Sequence, residues 1–275
     1  MEQPSIWHDQ WTNVDRVSDP AFFVRFLDLT RAAWIQRARA DPQAFYAFLD
    51  IQAGHQILDV GCGTGDLLRP LAEVLDPTSR IVGVDNSELM IQEAIKRVEG
   101  CSLPVEYRVG EAHALDFADA SFHRCYANFV FMHLERPRQA LTEMIRVARS
   151  GAMIVIDEAD WDTQVIDADN LLVTRKLVHF ISDSIIRNGC IARQLPGLFR
   201  VLGLQDVAVV GLITQWPHYA SFAEWWLKGA IERALQAGIV STEEITPWIH
   251  DLETRSHEGR FFTARTIYRV AGRKP

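Results

Sequence analysis

Between Ile57 and Leu68 the chain reads ILDVGCGTGDLL. Glycines stand at 61, 63 and 65, directly after an apolar run, and acids stand at 59 and 66. A glycine-rich bend after a buried strand bares backbone N–H groups and admits a ligand that side chains would block. Gly61, Gly63 and Gly65 therefore point to a nucleotide-like ligand. A second strand-like run, RIVGVD, ends in Asp85. A carboxylate there is placed to accept hydrogen bonds from both hydroxyls of a ribose. The dinucleotide fingerprint is G-x-G-x-x-G, and Asp66 stands where its third glycine would fall. Asp59 and Asp66 repel a pyrophosphate and suit a ligand that carries positive charge.

A parallel sheet with helices on both faces positions such residues, and the chain alternates accordingly. Strands are expected at 56–60, 80–85, 105–110, 122–129, 152–158, 204–213 and 260–273. Helical spacing joins Phe23, Phe26, Leu27, Thr30, Trp34 and Ile35 in one stretch. It also joins Leu67, Leu68, Leu71 and Leu75, then Met90, Ala94, Ile95 and Val98 behind a Ser87 cap. A last stripe of Leu141, Met144, Ile145 and Ala148 is expected to end at Gly151. Residues 161–203 and 217–258 read as mostly helical. One domain over 1–275 is expected: a helical lid at 1–50, a ligand-binding core at 51–160, helical insertions at 161–203 and 217–258, and a final strand at 260–273.

Four segments in order resemble the class I S-adenosylmethionine-dependent methyltransferases, closest to the ubiquinone/menaquinone-biosynthesis type. LDVGCGTG resembles the first motif, along the methionine part of the cofactor. VGVDNSELM resembles the second, which implies ribose-side roles for Asp85, Asn86 and Met90. GEAHALDFADASF resembles the adenine loop, which implies Glu111 at the adenine amino group and the Ala112 backbone at a ring nitrogen. NFVFMHL resembles the segment after strand four, which implies Asn128, Phe129 and His133 beside the cofactor. Relatives often carry Asp where this chain has Glu111. The resemblance implies an α/β fold with a Rossmann-like, seven-stranded, mostly parallel sheet whose last strand is antiparallel. It also implies S-adenosyl-L-methionine as cofactor.

Methyl transfer needs a nucleophile held in line and, for some acceptors, a base. His133 is the leading base; Glu158 and Asp160 follow strand five, and His8 and His218 are further candidates. The plainer reading makes His133 a structural histidine packed beside the cofactor. Trp11, Trp161, Trp216 and Trp225, the last with its neighbour Trp226, and Glu158 and Asp160 are the candidate acceptor pocket. Aromatic walls suit a flat or hydrophobic metabolite, as in secondary metabolism. The alternative for the tryptophans is anchoring of the insert helices. Trp7 is a further candidate for closing over the cofactor. Asp59 either contacts the cofactor ammonium or braces the turn. Arg16 and Arg31 are placed on a solvated face, with neutralisation of the cofactor carboxylate as a second reading.

Oxygen or carbon methylation is favoured over nitrogen. The alternative is a protein that binds the cofactor without transfer, as a cyclase or regulatory module; a nicotinamide-dependent oxidoreductase is more remote. The 275 residues carry a net charge of -8, which speaks against a sequence-independent grip on nucleic acid. No amino-methylating N-P-P-Y run follows strand four. Cys62, Cys101, Cys125 and Cys190 are too scattered for a metal or arsenic site. No basic leader or bilayer-spanning run is visible, so a cytoplasmic enzyme is expected, as a possible homodimer acting on a small molecule.

Overall fold

The computed structural model describes residues 10–100 and 104–275. Trp7, His8 and Cys101 lie outside the described residues. Eight strands form one sheet: β1 (Gln56–Val60), β2 (Arg80–Asp85), β3 (Val105–Val109), β4 (Phe122–Asn128), β5 (Ala148–Ala159), β6 (Val165–Ile166), β7 (Gln205–Gln215) and β8 (Thr263–Arg273). Their order is β3-β2-β1-β4-β5-β8-β6, with β7 also paired to β8. Strands β1 to β5 pair in parallel. The last strand runs antiparallel to β5 and to β7. The direction of winding reverses at β1, between β2 and β4, so a crevice opens beyond the carboxyl ends of β1 and β4.

All seven expected strands are present. The eighth, β6, is two residues long and pairs with Thr263 and Ala264; a run that short carries no periodic signal. The helix before β5 also departs from expectation. It spans Pro137–Val147, and Ala148 already belongs to β5. Gly151, at φ 77°, lies where pairing with β4 jumps from Phe122–Ala148 to Arg124–Met153. An apolar stripe reads alike in a helix end and a buried strand start, which explains the misplaced boundary.

The helix expected after the glycines is a single turn, Arg69–Ala72. Pro70 fits only a first turn and lacks the N–H that a longer helix through Leu67 needs. Leu68 and Leu71 still bury against Ile57, Ile81 and Tyr126 under the sheet. The bend therefore relies on its own amides and not on a long helix behind it.

Two of the three glycines make room for protein side chains, Gly61 while also lining the crevice and Gly65 for protein alone. Gly61 and Gly65 both adopt φ 72°. A Cβ on Gly61 would stand 2.3 Å from Val130 Cγ2, and one on Gly65 would stand 2.3 Å from the Tyr107 hydroxyl. Gly65→Ala is expected to cost about 3 kcal/mol, combining left-handed strain of about 1–2 kcal/mol with overpacking of about 1–3 kcal/mol. In a Tyr107→Ala background it should cost only the first part, read by urea denaturation. Equal costs in both backgrounds would rule out the Tyr107 contact as the constraint.

The helix before β1 lines the crevice through Leu27 and Arg31. Ala21–Ala40 precedes β1, and Leu171–Phe180, Ile191–Val201, Lys228–Gln236 and Thr242–His257 come from the two insertions. Ser241 and Glu244 cap the last of these reciprocally, which satisfies two otherwise orphaned donors. Leu171–Phe180 and Thr242–His257 share an apolar core around Leu177, Phe222, Leu227, Trp248 and Leu252, whereas Ile191–Val201 packs through Ile191, Leu195 and Phe199 into the main core of the sheet and is not part of a lid. Among the described residues no helix is long and apolar enough to cross a membrane.

Candidate functional site

The crevice holds a cavity of about 970 Å³, its mouth included, at the carboxyl ends of β1, β2 and β4. Asp85 closes β2 beside it. Its Oδ2 accepts from the Gly63 amide at 2.9 Å and its Oδ1 from the Ser87 amide at 3.0 Å. Two amides fix the carboxylate, and each oxygen keeps a lone pair for a further donor. Ser87 also accepts from the Met90 amide, capping the helix Glu88–Lys96. Burial raises the Asp85 carboxyl above its ordinary range.

Asp59, at the end of β1, is 4% exposed and lines the same cavity. Burial pushes its carboxyl up to about 7, against the opposing pull of Arg31 and with a further push from Asp85. Asp66 is committed elsewhere, to Arg97 at 2.5 Å and Arg69 at 3.0 Å. Gly61, Gly63, Asn86, Met90, Glu111, Ala112, Asn128, Phe129 and His133 also line the cavity. Gly65 does not, because it faces Tyr107. Asn86 donates through Nδ2 to the Thr12 carbonyl at 3.0 Å, which ties the N-terminal segment across the mouth.

Arg31 departs from the expected solvated face. It lines the cavity, donates to Asn128 Oδ1, and lies 4.9 Å over the Phe129 ring. Burial pulls its guanidinium down from its ordinary value. Arg16 is exposed, as its solvated reading expects. The signal for Arg31 was its place four residues after Leu27 on the apolar stripe of the first helix.

A second cavity of about 740 Å³ adjoins the first. Trp11, Leu27, Arg31, Phe129 and His133 line both. Trp34, Trp161, Trp216 and Trp226 add aromatic wall, and Arg265 and Thr214 add polar groups from β8 and β7. The Trp226 ring sits 4.8 Å from that of Trp161 and 5.7 Å from that of Trp216. The Trp11 ring stacks 5.6 Å from His133, which is 8% exposed.

Three expected pocket residues lie elsewhere. Trp225 packs on Phe22 at 5.1 Å and on Phe26 at 5.6 Å, while its neighbour Trp226 turns to the cavity. The wider helical turn at Ala223–Leu227 sets which of the two faces inward. Asp160 is fully buried in a fork with Arg193, at 2.5 and 2.6 Å, and is structural. Glu158 lies beneath the cavity floor, accepting from the Met132 amide at 3.1 Å and the Ala159 amide at 3.0 Å. Burial pushes its carboxyl up to about 8. Arg265 was missed; its signal was a cation at a register position shared with apolar Ile267.

Residues 58–156 match the model of a methyltransferase domain family. Over 249 residues the chain is 34% identical to an uncharacterized 37.1 kDa protein in transposon TN4556 of Streptomyces fradiae, covering 90% of this chain and 70% of that protein. It is also 32% identical to a demethylmenaquinone methyltransferase of Bacillus cereus, over 47% of this chain and 55% of the relative. The chain belongs to the class I S-adenosylmethionine-dependent methyltransferases. A putative methyltransferase of Bacillus halodurans C-125 shares the fold, with a TM-score of 0.58 at 17% identity, covering 83% of this chain and 96% of that one. The chain spans about half the length of the demethylmenaquinone methyltransferase it matches.

S-adenosylmethionine is the cofactor of this methyltransferase, and the residues present fit it. The cavity's acids match the ligand's cationic end, and Arg31 matches its carboxylate. In the bend the Gly61 and Cys62 amides donate to the Val84 carbonyl, Gly63 to Asp85 Oδ2 and Gly65 to the Cys62 carbonyl, so these amides are taken within the protein and are not free for a ligand, contrary to the expectation from the glycine spacing.

Proposed function

We propose that this methyltransferase transfers a methyl group to a small, hydrophobic or aromatic metabolite, at oxygen or carbon in preference to nitrogen. One observation carries the reading: an aromatic chamber abuts the donor cavity through a shared wall that includes His133. The cofactor, when bound, supplies an electrophilic methyl group and a good leaving group. Asp85 then holds the ribose hydroxyls, and Glu111 with the Ala112 backbone meets the adenine. Asp59 faces the ammonium, and Arg31 with Asn128 holds the carboxylate. The tryptophans exclude water and align a flat acceptor, a contribution worth about 7–11 kcal/mol in well-oriented reactions. His133, at the junction, takes the proton that an acceptor hydroxyl or carbon acid must lose. The segment up to residue 50 and the two insertions, apart from Ile191–Val201, act as lids over these chambers. The free thiols Cys62, Cys125 and Cys190 suit a reducing cytoplasm.

The test is transfer of a labelled methyl group to components of a metabolite extract by the purified protein. A labelled product whose yield needs the tryptophan-lined chamber, lost in Trp226→Ala, is expected. Conversion of a substrate that proceeds equally well with S-adenosylhomocysteine in place of the donor, with no methyl taken up, would instead mark a cyclase.

Asp59 gives the cofactor site a pH dependence. Burial raises its carboxyl to about 7, so below that pH it is largely neutral. A cationic ligand favours the ionised form, and binding at low pH must therefore release a proton. Affinity for S-adenosylhomocysteine is expected to rise about tenfold from pH 6 to pH 8 by this linkage. Titration calorimetry reads both the slope and the proton release. Asp59→Asn should flatten the profile, and an unchanged slope in that variant would remove Asp59 from the account.

A further inference from the structure

Arg265 sits on β8 opposite Thr214 of β7, and both line the tryptophan chamber. The residue is 5% exposed. Its Cζ lies 3.6 Å over the Trp161 ring and 5.2 Å from the Trp226 ring centre. Indole covers the guanidinium faces, so hydrogen bonding is left to the edges. Among the described residues its buried Nε has no hydrogen-bond partner. The acid that acts on it is Glu158, whose oxygens already accept the Met132 and Ala159 amides. Burial keeps Glu158 mostly protonated at neutral pH, so it is a poor counter-ion. Arg265 is also pulled down by burial, to about 9, and remains charged there.

A buried guanidinium with an unused donor is costly unless something completes it. An aromatic chamber around it selects the shape of what does. We propose that the acceptor is a flat, conjugated molecule bearing an anionic oxygen, a carboxylate or an ionised phenol or enol, which Arg265 holds as a specificity-determining residue. The proposal rests on the methyl-transfer reading and names its substrate class. Arg265 lines the acceptor chamber and not the donor cavity, whereas His133 lines both. The anion therefore marks the end of the acceptor remote from the cofactor, and the methylated atom lies at the His133 end. Arg31, the other cation in the chamber, is held by Asn128 and faces the cofactor's own carboxylate.

Two probes of equal shape test this, 2-naphthoate and its neutral amide, 2-naphthamide. Binding is read by quenching of the chamber tryptophans with S-adenosylhomocysteine saturating the donor site. The carboxylate is expected to bind the native protein about tenfold or more tightly than the amide, as charge-assisted hydrogen bonds require. A phenolate arm, 4-nitrophenol compared across its ionisation near neutral pH where Arg265 stays charged, separates the two anion types. Arg265→Met should abolish the preference, and Arg265→Lys should keep part of it. Calorimetry with S-adenosylhomocysteine on the same samples checks the fold and the methyltransferase reading together. Loss of that binding in the native protein would sink the proposed function. Intact cofactor binding with equal affinity for both probes, with no binding of any anionic probe, or with the preference surviving in Arg265→Met overturns the Arg265 assignment alone.

Discussion

Asp85→Ala is expected to weaken binding of S-adenosylhomocysteine by about 10²–10⁴-fold while leaving a folded protein. The carboxylate is fixed by the amides of Gly63 and Ser87 before any ligand arrives, so little ordering is lost on binding. Two ribose hydroxyls would each form a charge-assisted hydrogen bond worth about 1.5–3 kcal/mol, and losing both gives about 3–6 kcal/mol. Asp85→Asn keeps the shape and one acceptor, and should fall between native and alanine. Calorimetry measures the affinities, and thermal unfolding of the free proteins checks the fold. An alanine variant that binds within threefold of native would remove Asp85 from the ribose site.

His133→Ala is expected to lower kcat by about 10²–10⁴-fold, the usual contribution of a positioned base. The same residue stacks on Trp11 and lines both cavities, so a purely packing role predicts another pattern. Loss of packing would disturb cofactor affinity and stability together and leave the pH profile of kcat in shape. Loss of a base removes the limb of kcat that rises with pH, with S-adenosylhomocysteine binding within a few-fold of native. His133→Gln, which keeps volume and cannot act as the base, separates the two. Full turnover in either variant at saturating acceptor leaves His133 a structural residue.

The parallel core was legible because buried strands such as Gln56–Val60 and Arg80–Asp85 are continuous apolar runs with glycine or acid at their ends. The donor cavity was legible for the same reason, since Asp59, Gly61, Gly63 and Asp85 sit at strand ends where topology alone brings them together. The acceptor chamber was less so. Its walls come from Trp11, Trp161, Trp216 and Trp226, four residues of separate elements whose approach depends on helix packing and not on local spacing. Which of Trp225 and Trp226 faces the chamber was not legible, because a widened helical turn sets the facing residue and no sequence period announces that turn. Asp160 and Glu158 look catalytic as acids after a strand; only tertiary contacts show one locked to Arg193 and the other capped by amides. Arg31 was read first as solvated, with the cofactor carboxylate as its second reading, and Arg265 was passed over, because cations on strands and helices are most often solvated.

Residues Trp11, Leu27 and Arg31 belong to one N-terminal stretch and form wall for both chambers. Any parting of that stretch from the sheet would widen both chambers together. Donor and acceptor would then share a door whose latch is the Asn86 bond to Thr12. Turnover paced by this door would slow in viscous solvent, whereas turnover paced by bond-making would not. A substitution that loosens the latch would then quicken product escape even though it touches no reacting atom.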